Sequence, residues 1–261
     1  MRRLSLIAVF MILSIAGTAW AGLQETFERG NEAFAMGNYD EAVSAYEELV
    51  ELGVWDADVF YNLGTTYARM GRLGEAILNL ERALIIDPGH DEALDNLRTV
   101  RRALARRRTE AGEDADLDPP RSFWMNLLNR ITPGQVAVPF IICYVALFVI
   151  LGARRLTERE LSRLVLLIVA LILGAAVVVG GGLVMSKAVF DEEVHEAIAV
   201  REGEARLREG PGDRFRGSVT AYEGDRLRVI DHEGGWLHLR DSSGQEGWGR
   251  VEDFGELRRR E

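Results

Sequence analysis

Residues 57–90 read ADVFYNLGTTYARMGRLGEAILNLERALIIDPGH, and this stretch decides the first half of the fold. Phe60, Leu63 and Tyr67 recur at helical spacing, as do Ala76, Leu80 and Ala83 after a break at Gly71. Two amphipathic helices joined by a tight turn account for the pattern. Gly64 and Ala76 supply one small residue on each helix, so the two backbones can approach closely. Leu73 closes the turn, and Pro88 stops the second helix because its nitrogen has no hydrogen to donate. The same marks return 34 residues upstream as Gly30, Gly37, Tyr39, Ala42 and Tyr46, with a degenerate start.

In the second copy Phe60, Leu63, Gly64, Tyr67, Ala76, Leu80, Ala83 and Pro88 match the marker positions of a tetratricopeptide repeat. After it, DEALDNLRTVRRALARRR places Leu94, Leu97, Val100 and Leu104 on one face and reads as a capping helix, closing a repeat domain over 22–108. The resemblance implies a concave groove, lined by the first helix of each repeat, that holds an extended segment of another protein. Phe27, Asn31, Phe34, Tyr61, Asn62, Thr65 and Asp95 are the candidate groove residues. In members that clamp a partner's terminal carboxylate, two asparagines work with several basic residues. Asn31 and Asn62 occupy the asparagine positions, but the basic positions carry Phe27, Glu92 and Asn96, so the clamp is incomplete. Residues 22–98 also hold 16 acids against 5 arginines, which favours a neutral or basic ligand segment; a plain solvated acidic surface explains the same charges.

Outside the repeats, hydrophobic residues concentrate in three runs. Met1-Arg2-Arg3, an apolar stretch from Leu4 to Ala16 and Ala19-Trp20-Ala21 have the parts of a secretory signal peptide over 1–21, or of an uncleaved anchor. Residues 131–153 and 164–186 are each 23 residues without a charge, enough for a helix to span a bilayer. Transmembrane helices are expected over 133–153 and 164–186, with a short interfacial helix at 121–132 around Phe123 and Trp124. Between the spans, 154–163 carries Arg154, Arg155, Arg159 and Arg163, which assigns that loop to the cytoplasm and both flanking domains to the periplasmic side. Small residues Ala170, Gly174, Ala176 and Gly180 in the second span would pack against the first span or against another protein.

Arg101, Arg102, Arg106, Arg107 and Arg108 precede an acidic linker at 109–120, and could touch anionic head groups or neutralise that linker. From about Val194 short alternating strands appear, with Leu207, Leu227, Val229, Leu237 and Leu239 directed inward. Leu207-Arg208, Gly210-Pro211-Gly212, Gly224-Asp225, Gly234-Gly235-Trp236 and Gly247-Trp248 resemble a bacterial SH3-like domain, so 187–261 is expected to form a small all-β barrel. Phe215, Tyr222, Trp236 and Trp248 would either line a binding surface there or complete the core.

A net charge of −10 disfavours nucleic acid as a partner. The single cysteine, Cys143, excludes an intramolecular disulfide and a cysteine-based zinc site. No nucleophile, acid–base pair, metal-ligand spacing or cofactor motif stands out, so no catalytic, cofactor or metal residues are assigned and an enzyme is not expected. The order of segments resembles the BatE family of Bacteroides aerotolerance operons. That resemblance implies an inner-membrane scaffold accompanied by von Willebrand A-type proteins, other aerotolerance-operon membrane proteins of the BatD type and a MoxR-type ATPase. The alternative is a sensor that binds peptidoglycan through its SH3-like domain.

Overall fold

A computed structural model describes residues 21–112, 133–193 and 195–258. The signal peptide expected at 1–21 falls almost wholly outside these residues, as do the interfacial helix at 121–132 and most of the acidic linker. The described residues form two compact units, one of 21–112 with 195–258 and one of 133–193.

The first unit opens with five helices: α1 (residues 21–36), α2 (Tyr39–Glu51), α3 (Ala57–Met70), α4 (Leu73–Ile86) and α5 (Asp91–Glu110). Asp56 caps α3 by accepting hydrogen bonds from the amides of Asp58 (2.9 Å) and Val59 (3.3 Å), and Gly71 ends it at φ +80°, a left-handed conformation that glycine adopts without strain. The small residues act as the sequence implies. A Cβ on Gly64 would lie 2.9 Å from the Leu80 side chain and 3.0 Å from its backbone nitrogen. One on Gly30 would lie 2.6 Å from the Tyr46 ring. Tyr46, Phe60, Ile77, Leu80 and Leu104 are among the fully buried residues of the resulting core.

The second part of this unit is a seven-stranded antiparallel sheet: β1 (Glu196–Ala199), β2 (Glu204–Arg208), β3 (Gly217–Tyr222), β4 (Arg226–Glu233), β5 (Trp236–Arg240), β6 (Glu246–Arg250) and β7 (Phe254–Glu256), in the order β3-β2-β6-β5-β4-β1-β7. Leu207, Leu227, Val229, Leu237 and Leu239 are all buried on one face. The sheet is open where a closed barrel was expected, because no ladder joins its edges β3 and β7. One edge is instead covered by helix: the Arg82 guanidinium on α4 donates two hydrogen bonds to the Glu256 carbonyl (3.1 and 2.6 Å), and a Cβ on Gly255 would run into Leu78. Covering an edge strand in this way satisfies backbone groups that would otherwise recruit another chain.

Helices and sheet share one seam. Ile198 and Leu257 belong to the helical hydrophobic core at 0% and 2% exposure. Burying two such side chains contributes about 1.5–3 kcal/mol each. Around this apolar contact, the Glu81 carboxylate of α4 pairs with Arg101 of α5 and with Arg226 of β4, and Arg226 also reaches Glu196 at 2.5 Å. Glu81 is nearly inaccessible, so its charge is stabilised by these two guanidiniums. Burial pulls the Arg226 pKa down, but Glu81 and Glu196 outweigh it and the net direction is upward. Farther along α5, Arg107 pairs with Glu223, and Arg108 pairs with Asp225 at 2.7 Å while lying over the Tyr222 ring. Glu223 in turn accepts a hydrogen bond from the Gly74 amide at 2.8 Å. Arg107 and Arg108 therefore hold the sheet directly, and Arg101 does so through Glu81, which it shares with Arg226. The lipid and linker roles considered for these three arginines give way to a protein seam.

The second unit consists of α6 (Pro133–Leu156) and α7 (Glu160–Glu193), joined by a three-residue turn at 157–159. Segments Ala137–Leu156 and Glu160–Gly182, with mean hydropathies of 2.2 and 3.0, are long and apolar enough to cross a membrane. Helix α7 continues to Glu193, beyond the apolar stretch. Gly180 and Gly181 face Phe140 of α6, with hypothetical Cβ distances of 3.3 and 3.4 Å, and Ala170 is buried, whereas Gly174 meets nothing within 4 Å. Only part of the small-residue series thus serves packing inside the pair. At the turn, the Arg163 guanidinium donates to the Thr157 carbonyl at 2.7 Å.

Candidate protein-binding site

Helix α3 is linked by side-chain amides to α1 on one side and to α5 on the other. The Asn31 Oδ1 accepts hydrogen bonds from the Tyr46 hydroxyl (2.7 Å) and the Asn62 Nδ2 (3.0 Å). One step along, the Asn96 Nδ2 donates to the Thr65 hydroxyl at 3.0 Å. Each link joins residues 31 positions apart, so the repeat produces the same bridge twice. Asn31 and Asn62 therefore meet, but they hold the helices in register with one another.

All six predicted groove residues of α1 and α3 are half-buried, as a surface that is shaped yet still accessible requires. Phe27 packs 6.1 Å from the Tyr46 ring, Phe34 lies 5.6 Å from Tyr39, and Tyr61 rests 4.7 Å from the His90 ring. Thr65 follows Asn62 by three residues, so the two share a helical face. Beside the stripe, Asp58, Glu92 and Asp95 keep about three quarters of their side chains in solvent. The arrangement offers aromatic faces and amide groups inside a negatively charged rim. His90 and Asn96 were not singled out as groove residues from the sequence. His90 also caps α5, its Nδ1 accepting from the Ala93 amide at 3.3 Å. The 31-residue spacing of Thr65 and Asn96, equal to that of Asn31 and Asn62, is the signal that would have found the second bridge.

The four aromatic residues proposed for the sheet surface do not form one groove. Tyr222 lies under Arg108 in the seam. Phe215 packs against the Gly210–Gly212 turn, where a Cβ on Gly210 would come within 2.9 Å of its ring. Trp236 and Trp248 alternate with the buried Leu237, Leu239, Gly247 and Gly249, and so occupy the face away from the sheet core. Trp248 stacks on His238 with centroids 4.7 Å apart and an interplanar angle of 7°. Among the described residues, no three His, Cys, Asp or Glu side chains are grouped to hold a metal ion.

Comparison with known proteins agrees with the helical half. Residues 27–91 match the tetratricopeptide repeat family model. The chain is 33% identical over 64 residues to the Hsp70-Hsp90 organizing protein of Triticum aestivum, a match covering 24% of this chain and 11% of that protein. It is 30% identical over 92 residues to sperm-associated antigen 1 of Mus musculus, covering 35% and 10%. Against the photosystem I assembly protein Ycf3 of Synechococcus elongatus it is 27% identical over 116 residues, covering 42% of this chain and 66% of the relative. Among solved structures, the Arabidopsis OM64 TPR domain matches with a TM-score of 0.32 and 22% identity, over 42% of this chain and 92% of that one. The match thus spans about a tenth of the plant and mouse proteins. The chain contains tetratricopeptide repeats.

Proposed function

We propose that the chain is a non-enzymatic, membrane-held scaffold whose α1–α3–α5 face binds an extended segment of a partner protein. The observation that carries this reading is the half-buried stripe Phe27, Asn31, Tyr61, Asn62 and Thr65, bridged between helices and rimmed by Asp58, Glu92 and Asp95. A neutral or basic segment fits it, because an acidic one meets an unfavourable field. The names of the wheat and cyanobacterial relatives, an organizing protein and an assembly protein, support a role in bringing other proteins together.

The apolar pair α6–α7 is the membrane anchor in this reading, and the shared seam supports its topology. Because the segments before and after the pair complete one core, they lie on the same side of any membrane that α6 and α7 cross. The arginines at the turn then assign the turn to the cytoplasm and the joined unit to the periplasmic side of a bacterial inner membrane. The BatE resemblance suggests von Willebrand A-type proteins and a MoxR-type ATPase as company, with an SH3-like role for the sheet.

Photo-crosslinking from intact membranes tests the groove. A crosslinker at position 61 or 65 is expected to trap a discrete partner, one at the exposed Ser44 of α2 is not, and Asn31→Ala with Thr65 labelling is expected to reduce the yield at least fivefold. Equal yields at 44 and 61 would remove the groove from the argument.

A further inference from the structure

Strand alternation and register build a second surface on the sheet, on the face away from its leucines. Arg208 of β2 stands opposite Trp248 of β6, which stands opposite His238 of β5; Trp236 of β5 stands opposite Arg250 of β6. Between these strands and the loop before β2 lies a cleft of about 340 Å³, lined by Arg201, Arg206, Arg208, Arg250 and Trp236 together with the acids Glu204 and Asp253. This volume lies at the lower end of the range of ligand sites.

The guanidiniums are held in fixed directions. Arg208 donates to the carbonyls of Asp213 (2.6 Å) and Phe215 (3.1 Å), and Arg250 reaches the Asp213 carboxylate at 2.5 Å and Glu252 at 3.2 Å. Both lie near the Trp236 ring, at 5.8 and 5.6 Å from its centroid. Arg201 pairs with Asp253 at 3.1 Å. Arg206 alone of the lining arginines has no hydrogen-bond or ion-pair partner among the described residues, and it is exposed. Asp213, on the loop between β2 and β3, already bridges Arg208 and Arg250 with a carboxylate. That bridge is an internal example of the chemistry the wall accepts.

We infer that this cleft binds a short acidic segment of a partner protein, one carboxylate forked onto Arg206 and an adjoining side chain laid on Trp236. A guanidinium presents parallel donors that match a carboxylate, and the indole supplies the apolar platform. The size of the ligand follows from the rest of the molecule. A nucleic acid or an anionic bilayer brings an extended negative field, which a chain of net charge −10 repels. A segment of two or three residues engages only the local arginines. This site is separate from the helical groove and opposite to it in charge preference.

The test uses the full chain in neutral detergent and fluorescence anisotropy with a labelled Ala-Glu-Ala-Glu-Ala peptide, against the matching Ala-Gln peptide. Saturable binding of the glutamate peptide, at least tenfold weaker binding of the glutamine peptide, and at least tenfold loss in Arg206→Gln are expected. Trp236→Leu is expected to weaken binding three- to tenfold, while Tyr61→Ala leaves it unchanged. Because Arg206 is exposed and unpaired, Arg206→Gln does not depend on a refolded core; circular dichroism of each variant checks this. Equal affinity for the two peptides, or an unchanged Arg206→Gln, overturns the proposal. So does competition by inorganic phosphate at the peptide's own concentration, or Arg206-dependent sedimentation with purified sacculi without peptide binding. Loss of binding in Tyr61→Ala would transfer the ligand to the helical groove.

Discussion

At Asn31 a single amide oxygen receives donors from two directions, one from Tyr46 of its own repeat and one from Asn62 of the next. The tyrosines around this network ionise late. Burial pushes the Tyr46 phenol up to about 12, and Tyr67 is raised further by burial together with its hydrogen bond to Glu47. A folded-state pKa above the unfolded value of about 10 means that each contribution to stability is complete below pH 10. It is lost as pH rises from there through the folded-state value. Helical ellipticity is therefore expected to fall above pH 10, with Tyr46→Phe and Tyr67→Phe flattening the decline. Absorbance at 295 nm is expected to show a late component near pH 12 that Tyr46→Phe removes. Gly74 is a second sensitive position, because a Cβ there would lie 2.9 Å from the Val200 backbone and 3.0 Å from the Ala199 carbonyl. Gly74→Ala is expected to cost about 1–3 kcal/mol in chemical denaturation, the usual range for overpacking, with little change in helix content.

Among the elements, α5 does the most varied work. Ala93, Leu97, Val100 and Leu104 close the helical core, Asn96 extends the amide bridges, Arg101 pairs with Glu81 of α4, and Arg107 and Arg108 reach the sheet. The apolar periodicity that marks it as a cap was legible in the sequence, since each residue needed only neighbours three and four positions away. Its arginines were not legible in the same way. Arg107 and Glu223 are 116 positions apart and Glu81 and Arg226 are 145 apart, and each looks locally like an ordinary surface charge. Removing Arg226 takes one of two guanidiniums from the buried Glu81 and leaves Arg101 as its partner, so Arg226→Ala is expected to lower stability by about 1.5–3 kcal/mol, the range for a lost hydrogen bond to a charged group. Urea denaturation of Arg226→Ala reads that loss directly. The sheet shows the complementary case. Period-two alternation identified its inward leucines correctly, but strand order and the covered edge at β7 depend on α4, which no strand-level pattern contains.

In the whole molecule, the apolar pair α6–α7 is inserted into a unit that completes itself across the insertion. Reporter fusions after residue 110 and after residue 255 are therefore expected to give the same sidedness, and a fusion at 158 the opposite one. Opposite readings at 110 and 255 would be incompatible with a shared core. The sequence supplied the two long apolar helices and the basic turn between them, because hydropathy and arginine bias act through local composition. It did not supply the union of the flanking parts, because Ile198 and Leu257 carry no mark of the helices they enter.

That union also places a timing constraint on synthesis. The helices of 21–112 are made first, yet Ile198 follows only after α7 and Leu257 only near the end of the described chain. At the usual pace of elongation this leaves an interval of roughly 7 to 30 seconds. During that interval α4 presents Leu78 to its surroundings, and Glu81 has Arg101 but not yet Arg226. The newborn helical half is thus an aggregation and proteolysis target until its C-terminal complement is finished, and a message truncated within α7 would yield a product the cell clears.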